Sequence, residues 1–180
     1  MGKVTKNICS YPQGEKPNYI IPKEYGPFRY AIGRIGDDPL VAICMNPSAA
    51  KEDFSDATIN RIINVSKRLN KDGWMVFNLY PERATKASDM GTYDKDIADS
   101  NLDIIKDFLV KNEIDEVWGA WGNSENISTL VEAKKTVIAL LKEINVRVYY
   151  FGTLTNEGNP RHPLQRNEKL VLDNSNKKYL

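Results

Sequence analysis

Asn46 stands in the run Met45-Asn46-Pro47-Ser48, where a continuous apolar stretch breaks into polar residues. Its amide supplies both a donor and an acceptor, enough to orient a water or meet the edge of a base; it suits equally well the capping of a turn before Pro47. Ser48 could cradle a phosphate, whereas a nucleophilic serine would want the Gly-x-Ser-x-Gly frame, which is absent. His162 is the sole histidine, so a metal site of several imidazoles is excluded and a zinc centre would lack its usual ligands. An imidazole titrates where proton transfer near neutrality needs it, the plainer alternative being a hydrogen bond within its own loop. Metal binding through oxygen ligands stays open, and no cofactor is called for. Arg83 and Arg161 carry planar guanidinium forks that match phosphate or carboxylate, unless they serve only surface ion pairs. Asp56 and Thr58 suit the entrance of a helix, Asp56 as an N-cap worth ~1 kcal/mol. Turned inward, Asp56 could act instead as a general base. Asn78 closes a second apolar run, and Trp121 could stack on a base or pack under a loop. Asn46 and His162 are therefore the catalytic candidates. Ser48, Asp56, Thr58, Asn78, Arg83, Trp121 and Arg161 are the binding candidates.

These residues need elements to position them. Residues 28–35 read as a strand, Gly36-Asp37-Asp38-Pro39 as a turn, and 40–45 as a continuous apolar strand covered on both faces. A helix capped by Ser55 or Asp56, with Ile59, Ile62, Ile63 and Leu69 inward, closes at Gly73. Strands at 74–79, 116–120 and 146–151 then alternate with helices marked by Ile97, Leu102, Ile105 and Leu109, and by Leu130, Val131, Val137, Ile138 and Leu141. Strand–helix alternation with right-handed crossovers predicts an α/β protein, a three-layer α/β/α arrangement around a mainly parallel central sheet. In such a sheet ligands lie beyond the carboxyl ends of the strands. Those ends run into Asn46-Pro47-Ser48, Asn78-Leu79-Tyr80-Pro81, Trp121-Gly122-Asn123 and Gly152-Thr153-Leu154-Thr155, all polar or Gly/Pro-rich, so one rim is expected to hold the site.

Composition narrows the rest. A chain of 180 residues accommodates one α/β domain, residues 1–180. Pro12, Pro17, Pro22 and Pro27 make 1–27 an extended strap, and 165–180 is a polar tail expected to fray. Lys plus Arg number 25 against 24 Asp plus Glu, a balance that leaves no broad polybasic face. Cys9 and Cys44 are too few for a disulfide framework. With no apolar N-terminal leader or membrane-length apolar run, the expected setting is a reducing cytoplasm, without membrane insertion. Oligomeric state is not legible.

The ordered set Asn46-Pro47-Ser48, Asp56-Ala57-Thr58, Asn78-Leu79 with Arg83-Ala84-Thr85, Trp121-Gly122 and Arg161-His162-Pro163-Leu164 resembles the uncharacterised family known as domain of unknown function 1643. The resemblance runs from about Phe28 to Leu164. Where that family's pattern has a Glu-Asn-Asp triplet at the start of the second helix, this chain has Asp99-Ser100-Asn101. The same order of strand ends resembles, at greater distance, the uracil-DNA glycosylase superfamily and its mismatch-specific branch. That resemblance implies a uracil-DNA-glycosylase-like fold, with Asn46 positioning an attacking water and His162 approaching phosphate. Cys44 stands where that branch has Gly, and the turn offers no Asp as base. The expected function is a nucleobase- or nucleotide-directed enzyme, an N-glycosidic hydrolase acting on DNA or a nucleotide. Two alternatives remain open: a non-catalytic module binding a nucleotide or modified base, and a hydrolase of another small anionic substrate.

Overall fold

The computed structural model describes residues 8–84, 86–124, 126–164 and 171–180. Thr85 of the sequence motif, and residues 1–7 and 165–170 of the strap and tail, lie outside them. In chain order the strands and helices are β1 (Ile8–Cys9), β2 (Tyr19–Ile21), β3 (Ala31–Arg34), β4 (Pro39–Cys44), β5 (Ser55–Asp56) and α1 (Ala57–Arg68). They continue as β6 (Gly73–Asn78), α2 (Lys95–Lys111), β7 (Glu116–Gly119), α3 (Ser128–Glu143), β8 (Arg147–Tyr150) and β9 (Lys178–Tyr179).

β4 and β6 are buried along their whole length, as continuous apolar runs in the middle of a covered sheet should be. They pair in parallel from Pro39 with Gly73 to Cys44 with Asn78. The seven-stranded sheet has the order β2-β3-β6-β4-β7-β8-β9. β6, β4, β7 and β8 run parallel, while β2, β3 and β9 join antiparallel. The sheet is therefore mixed: the parallel pairing expected from strand–helix alternation holds in the centre, and short segments from the chain's two ends extend its edges. The protein is of mixed α/β class.

Alternation along the strands sorts the core into two halves. Leu40, Ala42, Cys44, Trp74 and Val76 pack with Ile59, Ile62, Ile63 and Val65 of α1. Val41, Ile43, Met75 and Phe77 pack with Ile105, Phe108 and Leu109 of α2 and with Leu130, Val137 and Leu141 of α3. From β4 the chain steps to β6 on one side, then crosses back through α2 to β7 on the other. The carboxyl ends of β4 and β7 thus flank the point where connections diverge, the position at which such sheets open a crevice.

The first helix stops earlier than Gly73 suggests. Asn70 takes φ 57°, and the Lys71 N–H donates to the Ser66 carbonyl, closing the helix in a left-handed cap; Gly73 instead starts β6. Asn tolerates this conformation because its short polar side chain can bond locally. The tail also departs from expectation. Asp173 caps a 3-10 turn at Asn174–Asn176, and β9 pairs with β8. Lys177 and Tyr179 both reach Glu116, and Leu172 is buried, so partners on β7 and β8 hold the segment that composition alone marks as fraying. Of the strap, residues 8–27 supply β1, which pairs with β5, and β2, which pairs with β3. Among the described residues no helix is long and apolar enough to cross a membrane.

Candidate functional site

A cavity of about 290 Å³ opens at the carboxyl ends of β4 and β6, on the face that α1 covers. Its wall includes Asn46, Ser48, Asp56, Thr58, Asn78 and His162, together with Arg29, Cys44, Ile59 and Leu164. Strand register explains part of this convergence. Cys44 and Asn78 are the last partners of the β4–β6 ladder, and the period of two that sends Leu40, Ala42, Trp74 and Val76 toward α1 sends these two the same way. Asn78 therefore occupies a core-facing position, with 1% of its surface exposed. Neither its Oδ1 nor its Nδ2 has a hydrogen-bond partner among the described residues. A buried amide left so costs about 1–3 kcal/mol, a cost that a ligand or water meeting the amide at the cavity wall would offset. Its backbone is held from the opposite side of the sheet: the Asn101 Nδ2 on α2 donates to the carbonyls of Asn78 (3.0 Å) and Leu79 (3.2 Å).

Asn46 is only half committed. Its Nδ2 donates to the Pro47 carbonyl (3.1 Å) and to the Ala84 carbonyl (2.9 Å), tying the turn after β4 to the loop after β6. That orientation leaves Oδ1 as the polar atom with which Asn46 can meet a ligand or water. Asp56 is the N-cap of α1: Oδ1 accepts from the Ile59 N–H (2.9 Å) and Oδ2 from the Ala50 N–H (3.2 Å). Both carboxylate oxygens are thereby turned to backbone amides, which makes Asp56 a strut of the site. Thr58 and Ile59 bring the first turn of α1 to the cavity wall. Buried Cys44 has its thiol pushed up to about 12 by desolvation, which keeps it protonated and inert near neutrality.

His162 arrives from the late loop. Its Nδ1 accepts from the Leu164 N–H at 3.2 Å, and burial lowers its pKa below the usual 6.5, against a smaller raising influence of Asp56. A neutral imidazole with Nδ1 accepting must carry its hydrogen on Nε2. The ring consequently offers a donor, and its basic nitrogen is already occupied. Gly122, at φ 68°, backs this loop: a Cβ there would stand 3.2 Å from the Cβ of His162. The Gly122 N–H also donates to the Pro160 carbonyl (2.9 Å), and buried Trp121 donates from Nε1 to Asn159 Oδ1 (3.4 Å). Trp121 thus packs under the loop, outside the cavity lining. Arg161 is likewise turned to its own surroundings, its Nε donating to the Thr153 carbonyl (2.9 Å) and its guanidinium to Thr153 Oγ1 (3.0 Å).

Arg83 lies behind the turn. Its guanidinium donates to the carbonyls of Ser48 (2.5 Å) and Ala50 (3.2 Å) and covers the ring of Tyr25, 4.3 Å from its centroid. Arg29 is the cation of the cavity wall. Only 2% of it is exposed, one guanidinium nitrogen donates to the Ala50 carbonyl (2.7 Å), and Nε has no partner among the described residues. Desolvation first, then repulsion from Arg83, lowers its pKa to about 10, opposed by Asp56; it remains a cation at neutral pH. Sequence reading passes over Arg29 because it stands between Phe28 and Tyr30 ahead of β3 and belongs to no carboxyl-terminal strand end; Pro81, whose carbonyl accepts from the Arg29 N–H (2.9 Å), draws it in. Among the described residues no cluster of His, Cys, Asp and Glu is arranged to hold a metal ion.

The family described as "Protein of unknown function (DUF1643)" matches residues 29–164. The chain belongs to that family. The matched span begins at Arg29 and ends at Leu164, both on the cavity wall, and it contains every other lining residue named above. No curated protein and no solved structure matches the chain.

Proposed function

We propose that the cavity receives a nucleobase and that the protein hydrolyses an N-glycosidic bond in DNA or a nucleotide. The observation that carries this reading is the buried Asn78 amide at the cavity wall, both of whose polar atoms lack a partner among the described residues. A carboxamide presents acceptor and donor side by side, the complement of the N–H and C=O edge of an oxo-base. A site built to pair such an edge rejects analogues that leave its buried groups unsatisfied. The cavity lies near the lower end of the ~300–1,000 Å³ typical of small-molecule sites, which suits one planar ring with its sugar at the mouth. A base in duplex DNA would enter by flipping out of the stack.

Within this reading Asn46 Oδ1 accepts from a water, which attacks the anomeric carbon as the carbon–nitrogen bond breaks. The bonding pair leaves with the base, the His162 Nε2–H stabilises the negative charge developing there, and the water sheds its proton to solvent. Helices on both faces of the sheet, and the order of the strand-end motifs, support a three-layer, uracil-DNA-glycosylase-like arrangement. The occupied state of Asp56 and His162 Nδ1 favours one other reading, a module that binds a nucleotide or modified base without turnover, because neither group stands ready to accept a proton. Duplexes carrying uracil, hypoxanthine or mismatched thymine, together with the corresponding nucleotides, separate the two. The hydrolase releases free base and leaves alkali-labile strands, and Asn46→Ala abolishes both. Base-dependent thermal stabilisation with every strand and nucleotide intact would establish the binding module.

A further inference from the structure

Resting on the nucleobase reading, we propose that the cavity is an anion site: it holds its ring ligand as a planar oxo-heterocycle bearing a delocalised negative charge, with Arg29 as the counter-cation. Two features of the wall converge on this. Arg29 is a buried guanidinium that donates to a neutral carbonyl, that of Ala50, and whose Nε has no partner among the described residues. A charge so placed is costly unless an opposite charge meets it. Buried Asn78 lines the cavity with an amide that has no partner among the described residues and can donate to a ring oxygen or nitrogen.

The charges facing Arg29 are accounted for in turn. Asp56 is the acidic group of the wall and a counter-charge to Arg29, with its two oxygens accepting from the N–H groups of Ala50 and Ile59. Arg83, held behind Ser48 and Ala50, adds positive potential. Tyr11 is kept protonated by burial, as is the Cys44 thiol, and His162 is neutral near pH 7 with its Nε2–H outward from the Leu164 contact. Two guanidinium groups, Arg29 and Arg83, against the single carboxylate of Asp56 leave the wall with positive charge in excess, and with the Asn78 and His162 donors this favours an anion over a neutral ring. The same arrangement serves catalysis, since a base departing from its sugar with the bonding pair is such an anion.

Calorimetric titration of the full chain with urate, xanthine, hypoxanthine and adenine tests this. Urate is an anion near neutrality, xanthine becomes one as pH rises through its own ionisation, and adenine is neutral and lacks a ring carbonyl. The expected result is binding of urate, no binding of adenine, and xanthine affinity that climbs between about pH 6.5 and 8.5. Asn78→Asp, which keeps the side-chain shape and adds a negative charge, should weaken urate at least about tenfold, a cost of ~1.4 kcal/mol. Arg29→Gln should do the same; where it fails to fold, Asn78→Asp stands alone as the test. Equal affinity for neutral and anionic rings or a flat pH profile for xanthine would overturn the anion site and leave the nucleobase reading standing, whereas urate binding unaltered by Asn78→Asp would overturn both. Absence of binding by every ring would overturn both.

Discussion

Asn78 concentrates the tension between stability and function in one side chain. Its neighbours along the same face of β6 are Trp74 and Val76, both core residues, yet its own amide is buried without a partner among the described residues. Asn78→Leu should therefore raise unfolding free energy by about 1–3 kcal/mol in denaturant titrations, since an apolar group replaces unsatisfied ones, while abolishing ligand binding. Unchanged or lowered stability with binding retained would mean that the amide is satisfied in solution. Asn46 behaves oppositely, because its Nδ2 already bridges the Pro47 and Ala84 carbonyls. Asn46→Asp places an oxygen against two carbonyl oxygens and should destabilise more than Asn46→Ala, which loses about 1–2 kcal/mol. A denaturant series ranking wild type, Ala and Asp in that order checks it. His162 sets a pH dependence whose sign follows from burial. Its folded pKa lies below the ordinary value of 6.5, so the neutral ring contributes fully above 6.5 and stability is lost as pH falls through the folded pKa. The drop in unfolding free energy between pH 7.5 and 5 should accordingly shrink in His162→Gln, and an undiminished drop would show that the ring is solvated.

At the scale of elements, three helices end alike. Asn70, Glu113 and Asn145 take φ of 57°, 53° and 56°, and the next residue's N–H reaches back to Ser66, Leu109 and Leu141. A left-handed glutamate costs about 1–2 kcal/mol relative to glycine, so Glu113→Gly should raise the midpoint of thermal unfolding measurably, with no effect on ligand binding on the far side of the sheet. The strand ends were legible because buried strands read as apolar runs and their exits as polar ones. The helix stops were not, because Asn and Glu supply conformations that glycine advertises more openly. Nor could spacing separate the arginines: Arg83 and Arg161 sit in polar loops that look ligand-facing, but their guanidinium groups hold backbone carbonyls, and Arg29, beside Phe28, reaches the cavity. Trp121 suits either stacking on a base or packing under a loop, and it packs under the late loop, outside the cavity lining. Gly122→Ala meets both an unfavourable φ and a Cβ contact of 3.2 Å with His162, so it should lower stability by at least about 1 kcal/mol and shift the His162 ring, visible as a changed imidazole resonance.

For the whole molecule, alternation of strands and helices made the α/β class readable, while the antiparallel edges came from segments whose pairing depends on distant partners. β9 owes its place to Glu116, which takes Lys177 and Tyr179, and to the contact of the Lys177 ammonium with the Tyr149 ring at 4.4 Å. Neither partner is near it in sequence, so composition could only mark the segment as polar. Charge, by contrast, is a property the sequence states outright: the formal net charge is +1, with 25 basic and 24 acidic side chains. Each phosphate neutralised on duplex DNA contributes about −0.9 to the slope of log affinity against log salt. A near-neutral molecule with its cavity cation buried offers few such contacts, and Arg83 and Arg161 are turned to carbonyls. If DNA is the substrate, its affinity should follow a shallow slope, roughly −1 to −3 by that rule, with recognition carried by the flipped base. Titrating a short duplex containing a candidate base over a range of potassium chloride measures it. A slope steeper than about −5 would require a phosphate-binding face that the balanced surface does not supply, and would move the DNA contact away from this rim.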